Sequence, residues 1–567
     1  MKGKAKAKEK IVVTSALPYV NGVKHLGNLL GSMLPADVYA RFLRLQGEDV
    51  IFVCGTDEHG TACEVAALEE KTPIRDYVNK YYEIQRGIYE KWGLRFDYFG
   101  RTSAKQNHET TQEVFKRLHA KGLIAEKTLK LPFCLTDKRF LPDRYVAGKC
   151  PHCAYPYAKG DQCEKCGKVL DPIELLNPSC VICGKNNIDF RESRHLFLDL
   201  PKVSEPLRKW IEKQKQWPSN ARNFALQWIR EGLRERCITR DLQWGVRVPL
   251  KGYEDKVFYV WFDAPIGYIS ITKQLFDEKG ESARWEEYWR GPQSKIIHFL
   301  GKDNIAFHTV TWPAVLFASE YAVLPYQVKS VEFLNYEGEK FSTSRKWGIF
   351  TDEALDWFPA DYWRYYLLSI LPEHSDTNFF WSEFQTRVNG DLADTLGNLL
   401  QRCLVFAKNN YGSKIPVSKK LDEGDKAFKK TIADSVKKTR ELLLAYKLQE
   451  ALHCAVGLAR EANKYFNDSA PWHAIKTDPE KAKTCVFLTA NALRSIAIIL
   501  EPFVPFTSRR IFSQLNVRFE GVEWDDALEL GLKSGHTLGE PEILFKKIDD
   551  KEIEGKRKVI EARSKRT

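Results

Sequence analysis

The sequence predicts an α/β protein: a doubly wound parallel sheet with a cysteine-rich insertion, followed by an all-α bundle. Three observations carry that expectation. Short apolar runs alternate with helix-period segments near the start of the chain. A stretch rich in Cys, Gly, Pro and Lys and poor in periodicity interrupts the alternation at residues 131–194. Beyond residue 389 strand signals fade and leucines recur at helical spacing.

Ile11-Val12-Val13 reads as the first strand, and the turn His25-Leu26-Gly27-Asn28 leads from it into a periodic segment running to Gln46. Leu29, Leu30, Met33, Leu34, Val38, Phe42 and Leu45 fall at helical spacings, and Pro35 predicts a kink or a delayed helix start. Asp49 to Cys54 reads as a second, buried parallel strand. These elements form a first half of the sheet over residues 11–130, with ligands expected above the carboxyl ends of its strands. After the insertion the α/β pattern returns with Val257 to Ala264 and Lys295 to Asp303, in a connective region and second half over residues 195–335. A polar loop and its surroundings occupy 336–388. Leu392, Leu396, Leu399, Leu400 and Leu404, then Leu442 to Leu452, predict a bundle over 389–534. A basic N-terminal extension (residues 1–10) and a charged tail (residues 535–567) flank these parts. Within the tail, Lys551 to Thr567 is expected to be a solvated helix or disordered.

A chain of 567 residues can bury more than one core, and 43% hydrophobic content marks it as globular. No apolar run reads as long enough to span a bilayer, so no membrane partner is expected. Met1 to Lys10 lacks both a secretory apolar stretch and an Arg-rich amphipathic presequence, which predicts a cytoplasmic protein. The 13 cysteines, many in C-x-x-C pairs, fit a reducing compartment and metal binding. A net charge of +12 favours an anionic partner such as a nucleic acid.

Cys150-x2-Cys153 and Cys163-x2-Cys166 stand nine residues apart, with Gly148, Gly160 and Gly167 to relax the turns. Four thiolates in two knuckles can wrap one tetrahedral Zn²⁺. A third pair, Cys180-x2-Cys183, finds its nearest partners in Cys134 and Asp137, which allows a second, interleaved zinc site. Such closed coordination leaves no open position, so one or two structural ions are expected. Cys54, Cys63, Cys237, Cys403, Cys454 and Cys485 read as small buried hydrophobes.

Two distant segments place donors where a nucleotide's phosphates can lie. His25 to Asn28 sits at a helix start, whose free N–H groups and partial positive charge suit an anion. Lys340-Phe341-Ser342-Thr343-Ser344 follows Gly338 and brings one cation and two serine hydroxyls. The pair resembles the two signature motifs of class I aminoacyl-tRNA synthetases, and Ala16 to Gly22 (A-L-P-Y-V-N-G) and Gly55 to Gly60 (G-T-D-E-H-G) resemble the methionyl-tRNA synthetases. The likeness runs from Ile11 to Pro505.

The resemblance implies a Rossmann-like catalytic domain carrying a zinc-knuckle insertion and an anticodon-binding helical bundle. It implies ATP, with Mg²⁺, and methionine as substrates and tRNA(Met) as partner. His25, Gly27, Asn28, Lys340, Phe341, Ser342, Thr343 and Ser344 then face ATP. His25, Asn28, Lys340, Ser342, Ser344 and Arg345 serve the reaction. Methionine falls among Ala16, Leu17, Tyr19, Asp57, Trp261, Ala264, Pro265, Tyr268 and His308. Asp57 pairs with the substrate ammonium, and His308 and Tyr268 meet the thioether. Asn398, Arg402, Pro471 and Trp472 read the anticodon. Relatives hold one or two metals in the insertion. Two positions depart from the motifs: Asn28 replaces a histidine, and Thr343 replaces a lysine, whose charge Arg345 and Lys346 are expected to supply. A monomer is expected, with the basic N-terminus able to dock a multi-synthetase assembly. Two alternatives stay open: a synthetase for another apolar amino acid, against which the insertion is too short for a large editing domain, and a catalytically silent tRNA-binding scaffold.

Overall fold

The computed structural model describes residues 8–160, 163, 165, 166, 168, 170–342, 345–418 and 420–564. Most of the basic extension, with the assembly contact expected of it, lies outside the described residues, as do Thr343 and Ser344.

Five parallel strands form the central sheet: β1 (Lys10–Ser15), β2 (Asp49–Thr56), β3 (Tyr98–Arg101), β4 (Ser294–Gly301) and β5 (Gln327–Val331). Their order is β5-β4-β1-β2-β3, with Val12 registered between Ile51 and Ile296. Helices cover both faces. Val13 and Phe52 join the core under the helix Leu34–Leu45, while Val12, Ile51 and Val53 join that under Val260–Glu278. Burial on both faces explains why the strands read as unbroken apolar runs. Chain order reverses between β1 and β4, which opens a crevice beyond their carboxyl ends.

Pro35 delays the regular helix. One helical turn, Leu26–Asn28, leads into a π turn, Leu29–Met33, and the α-helix Leu34–Leu45 then holds Pro35 in its first turn, where a missing N–H is tolerated. Val257 to Ala264 is mostly helix: strand pairing covers only Val257–Phe258, and the helix begins at Val260. A helix buried on all sides and a buried strand share the same apolar pattern.

The insertion is an arm. Ile124–Cys134 and Ile188–Leu198 pair antiparallel along their whole length, and a small sheet of Val146–Lys149, Ala158–Lys159 and Leu176–Cys180 sits at the tip. The bundle follows as α1 (Asn398–Tyr411), α2 (Glu423–Leu444), α3 (Leu448–Ser469), α4 (Pro479–Leu500) and α5 (Pro505–Gln514). Contrary to the sequence expectation, α4 is long and apolar enough to cross a bilayer, yet 89% of its apolar window is buried. It is the central core helix, packed on α1, α2, α3 and α5.

The charged tail also differs from its expectation. Gly535 and Leu538 donate to the carbonyls of Ile415 and Ser413, and the helix Asp550–Ser564 buries Ile553 and Ile560. Its Arg563 donates to the carbonyls of Lys346 (2.8 Å) and Gly348 and pairs with Glu353. Two isoleucines one heptad apart suffice to dock one face.

A buried ionic network joins the sheet domain to the bundle. Asp37 and Arg364 are fully buried and pair at 2.7 Å. Arg41 bridges Asp37 at 2.9 Å and Glu501 at 2.6 Å. Arg364 also donates to the carbonyls of Phe503 (2.8 Å), Pro502 (3.0 Å) and Trp92 (3.3 Å). The Arg95 N–H reaches Asp37 at 2.8 Å. Burial alone would raise the Asp37 carboxyl, but Arg41 and Arg364 outweigh it and hold the group below the usual carboxylate range. A depressed carboxylate stabilises the fold above its unfolded-state value and loses that contribution as pH falls through the folded one. Arg364→Ala strands Asp37 without its full counter-charge. It is expected to destabilise the chain by about 3–5 kcal/mol, read as a lower urea midpoint; an unchanged midpoint would show the network to be idle.

Candidate active site

The crevice is a cleft of about 830 Å³. His25, Gly27 and Asn28 line it together with Lys340 and Phe341, so the two signature segments, remote in sequence, meet at one place. The meeting is tight. The Phe341 ring stacks on His25 with centroids 4.7 Å apart and planes at 18°. Leu26 N–H donates to Ile349 O at 3.0 Å, and Thr351 N–H to Lys24 O at 2.8 Å. Ser342 and Trp347 close the loop with paired backbone bonds of 3.0 and 2.9 Å. Gly27 and Gly348 permit the approach: a Cβ on Gly27 would sit 3.1 Å from the His25 ring, and one on Gly348 would strike Phe341. Gly348 also holds φ +114°.

His25 and Asn28 cap the helix reciprocally. The Asn28 N–H donates to His25 Nδ1 at 3.3 Å, and the His25 N–H to Asn28 Oδ1 at 3.3 Å. Burial, helped by Lys24, lowers the imidazole to about 3. The ring is therefore neutral, and because Nδ1 accepts, its proton sits on Nε2. Asn28 keeps a donor and acceptor at the turn without carrying a proton. Ser342 accepts from the Arg345 N–H at 3.3 Å, and Arg345 is exposed and pairs with Glu339 at 3.5 Å. Neither Ser342 nor Arg345 lines the cleft.

Every residue expected around the amino acid does line it: Ala16, Leu17, Tyr19, Asp57, Trp261, Ala264, Pro265, Tyr268 and His308. Trp261 stacks on Phe307 at 3.8 Å and meets Tyr19 edge-on at 6.4 Å. Asp57 is 5% exposed, and its Oδ1 is buried without a hydrogen-bond partner. Burial, and then Asp263, pushes its carboxyl well up. Placing a cation beside it would reverse that shift. Tyr268 and His308 are joined at 2.8 Å through the hydroxyl and Nε2, and His308 Nδ1 lies 3.1 Å from Asn304 O. Burial lowers His308 to about 4, so Nδ1–H donates to Asn304 and Nε2 accepts from Tyr268. These two donors are spent within the wall. The surface they present is aromatic, suited to dispersion with a soft, polarizable chain.

Sequence reasoning passed over several cleft residues: Lys24, Arg144, Arg236, Arg240, Tyr259 and Phe307. Arg240 is fixed by Asp143 at 3.0 Å, which ties the arm to the cleft. The i, i+4 spacing of Arg236 and Arg240 in an extended segment, which puts both on one side, was the available signal.

At the arm's tip, Cys150, Cys153, Cys163 and Cys166 gather their sulfurs within 4.8 Å of one another, and Cys134, Asp137, Cys180 and Cys183 do the same. Sulfur pairs stand 3.6 Å (Cys153–Cys163), 3.6 Å (Cys134–Cys183) and 3.9 Å (Cys150–Cys166) apart. A tetrahedron with Zn–S bonds of about 2.3 Å has edges of about 3.8 Å, so both groups fit a zinc ion. Asp137 lies 3.0 Å from Cys180 and 3.4 Å from Cys134, as a fourth ligand would.

On the bundle, Arg402 stacks over Trp472 at 5.3 Å and donates to Asn467 at 2.7 Å. Trp472 is 40% exposed, Asn398 is exposed one turn from Arg402, and buried Pro471 opens the Trp472 helix. The four predicted residues thus form one aromatic-cationic surface.

Residues 11–404 match the family profile of tRNA synthetases class I (M), and residues 415–563 that of the anticodon binding domain of methionyl tRNA ligase. The chain is 45% identical to methionine–tRNA ligase 1 of Acaryochloris marina over 95% of its own length and 97% of the relative's. It is 41% identical to the methionine–tRNA ligase of Thermofilum pendens over 99% of each. Among solved structures, Mycobacterium tuberculosis methionyl-tRNA synthetase in complex with methionyl-adenylate superposes with a TM-score of 0.78 at 27% identity, over 95% of this chain and 99% of that one. The likeness takes in the sheet, the arm and the bundle alike, and the chain belongs to the methionyl-tRNA synthetase family.

Proposed function

We propose that this protein is a methionine–tRNA ligase. It joins methionine to ATP as methionyl-adenylate, releasing pyrophosphate, and then passes the methionyl group to the 3′ end of tRNA(Met). The observation that carries this reading is the junction of the His25 turn and the Lys340 loop on one cleft that also holds Asp57, whose Oδ1 is buried without a partner, and the Trp261–Phe307 wall.

Attack of the methionine carboxylate on the α-phosphorus needs alignment and charge neutralisation rather than a protein nucleophile. The neutral His25 offers Nε2–H at a helix start, where donors strengthen as negative charge gathers on the phosphoryl oxygens. Lys340, exposed at the mouth, offers its ammonium to the leaving pyrophosphate; Mg²⁺ enters with ATP. Asp57 takes the substrate ammonium, which restores its ionised state. Trp261, Phe307, Tyr268 and Tyr19 enclose the thioether chain. The fork of Arg402 and the amide of Asn398 read base edges while Trp472 stacks on an unpaired base. Zinc at the two knuckles supplies structural cross-links, with Cys150, Cys153, Cys163 and Cys166 holding one ion and Cys134, Asp137, Cys180 and Cys183 the other. Arg345, held by Glu339 and outside the cleft, is a poorer source of the missing loop charge than its sequence position implied.

Trp472→Ala is expected to lower tRNA charging ~10- to 100-fold while amino-acid-dependent ATP–pyrophosphate exchange stays unchanged; equal losses would rule out an anticodon role. In steady-state exchange, Tyr268→Ala should raise the KM for methionine far more than that for ATP, and matched increases would count against the pocket. Metal analysis of the purified chain should find two zinc ions, falling to one in Cys153→Ser. A wild-type content of one would remove Asp137 from coordination.

A further inference from the structure

We infer that Lys24 binds the α-carboxylate of the amino acid, so that Lys24 and Asp57 hold the zwitterion at its two charged ends. This deepens the reading of the cleft as a methionine site and rests on it.

Lys24 stands directly before His25 and lines the cleft. Its ammonium donates to a neutral acceptor, Asn21 Oδ1, at 2.5 Å. Among the described residues no carboxylate lies within ion-pair distance of it. A half-buried cation without an acid is unusual, because the cost of removing it from water is not met by a counter-charge. Burial lowers Lys24 to about 8, against the opposing fields of Cys63 and Asp57. Asp57 is its mirror image: a buried carboxylate whose Oδ1 has no partner and which feels Lys24 from a distance.

Two ionisable groups of opposite sign thus border one cleft, near enough to sense each other and too far apart to pair. An α-amino acid carries its ammonium and carboxylate on a single carbon, and one such molecule neutralises both groups at once. Lys24 is also held in place before any ligand arrives: its carbonyl accepts the Thr351 N–H at 2.8 Å and the Thr351 hydroxyl at 2.9 Å. A fixed backbone reduces the ordering cost of binding. Two of the other basic groups on the cleft suit this task less well. Arg240 is committed to Asp143, and Lys340 is exposed at the mouth. The carboxylate gives up charge as it attacks phosphorus, so Lys24 favours the bound substrate over the transition state, and its loss falls on affinity rather than on the chemical step.

Equilibrium binding to the full chain distinguishes the outcomes. Methionine is compared with methioninol, the amino alcohol that keeps the ammonium and thioether and lacks the carboxylate, on wild type, Lys24→Met and Lys24→Gln. The expected result is methionine weakened ~10- to 100-fold in both variants and methioninol changed by less than about 2-fold. Equal weakening of the two ligands would overturn the inference, since Lys24 would then only shape the pocket. Unchanged methionine binding with weakened ATP binding would overturn it as well, by assigning Lys24 to the phosphates. A wild-type chain that binds neither methionine nor methioninol would overturn the methionine reading itself, and this inference with it.

Discussion

The Asp37–Arg41–Arg364–Glu501 network is the constraint on which the rest of the molecule hangs. It lies where the helix behind β1 and β2 meets the helix Ala360–Ser369 and the end of α4. Ionic groups this deeply buried add little to stability by comparison with well-packed apolar ones, but they tolerate only one arrangement. Each arginine nitrogen has a specific carbonyl or carboxylate, so sliding the bundle along the sheet would leave charges unpaired in the interior. The distance between the cleft and the Arg402–Trp472 surface is thereby set by hydrogen-bond geometry, whereas apolar packing alone would tolerate slippage.

Within the cleft, burial governs chemistry by choosing protonation states. His25 and His308 are both far below their ordinary range, and burial, helped by His308, also holds His298, beside Tyr268, well below it. Neutral imidazoles act as oriented dipoles, with the proton position set by the partner on the other nitrogen. Asp57 and Lys24 are ionisable points at which burial disfavours the charged form, and a ligand of opposite charge gains most there from a low-dielectric surrounding. The cleft thus combines an aromatic and aliphatic wall with charged side chains placed around it, the pattern of a small-molecule pocket.

What the sequence made legible follows the locality of the physics. The His25 turn, the Lys340 loop and the C-x-x-C pairs could be read because each needs adjacent residues in fixed order, and the structure gathers them as such. Asp137 was legible through its C-x-x-D spacing. Lys24 and Arg240 were missed since their importance arises only when a turn, an arm and a strand end are brought together. Arg345 was placed near the phosphates from its position in the chain, but an exposed side chain goes to the nearest acid, here Glu339. Val257 to Ala264 defeated periodicity because burial on every side erases the difference between strand and helix. The tail was misread for the opposite reason: composition averages away Ile553 and Ile560, two apolar contacts that decide where fifteen residues lie.

Arg563, on the helix Asp550–Ser564, grips the backbone just past the Lys340 loop. The loop reaches its final set of contacts only after the bundle and the helix Asp550–Ser564 have been synthesised. Newly emerging protein can therefore complete its sheet and bundle while the nucleotide end of the cleft still lacks its outer brace. A protease that cuts within the helix Asp550–Ser564, far in sequence from the His25 turn, would return the protein to that immature condition.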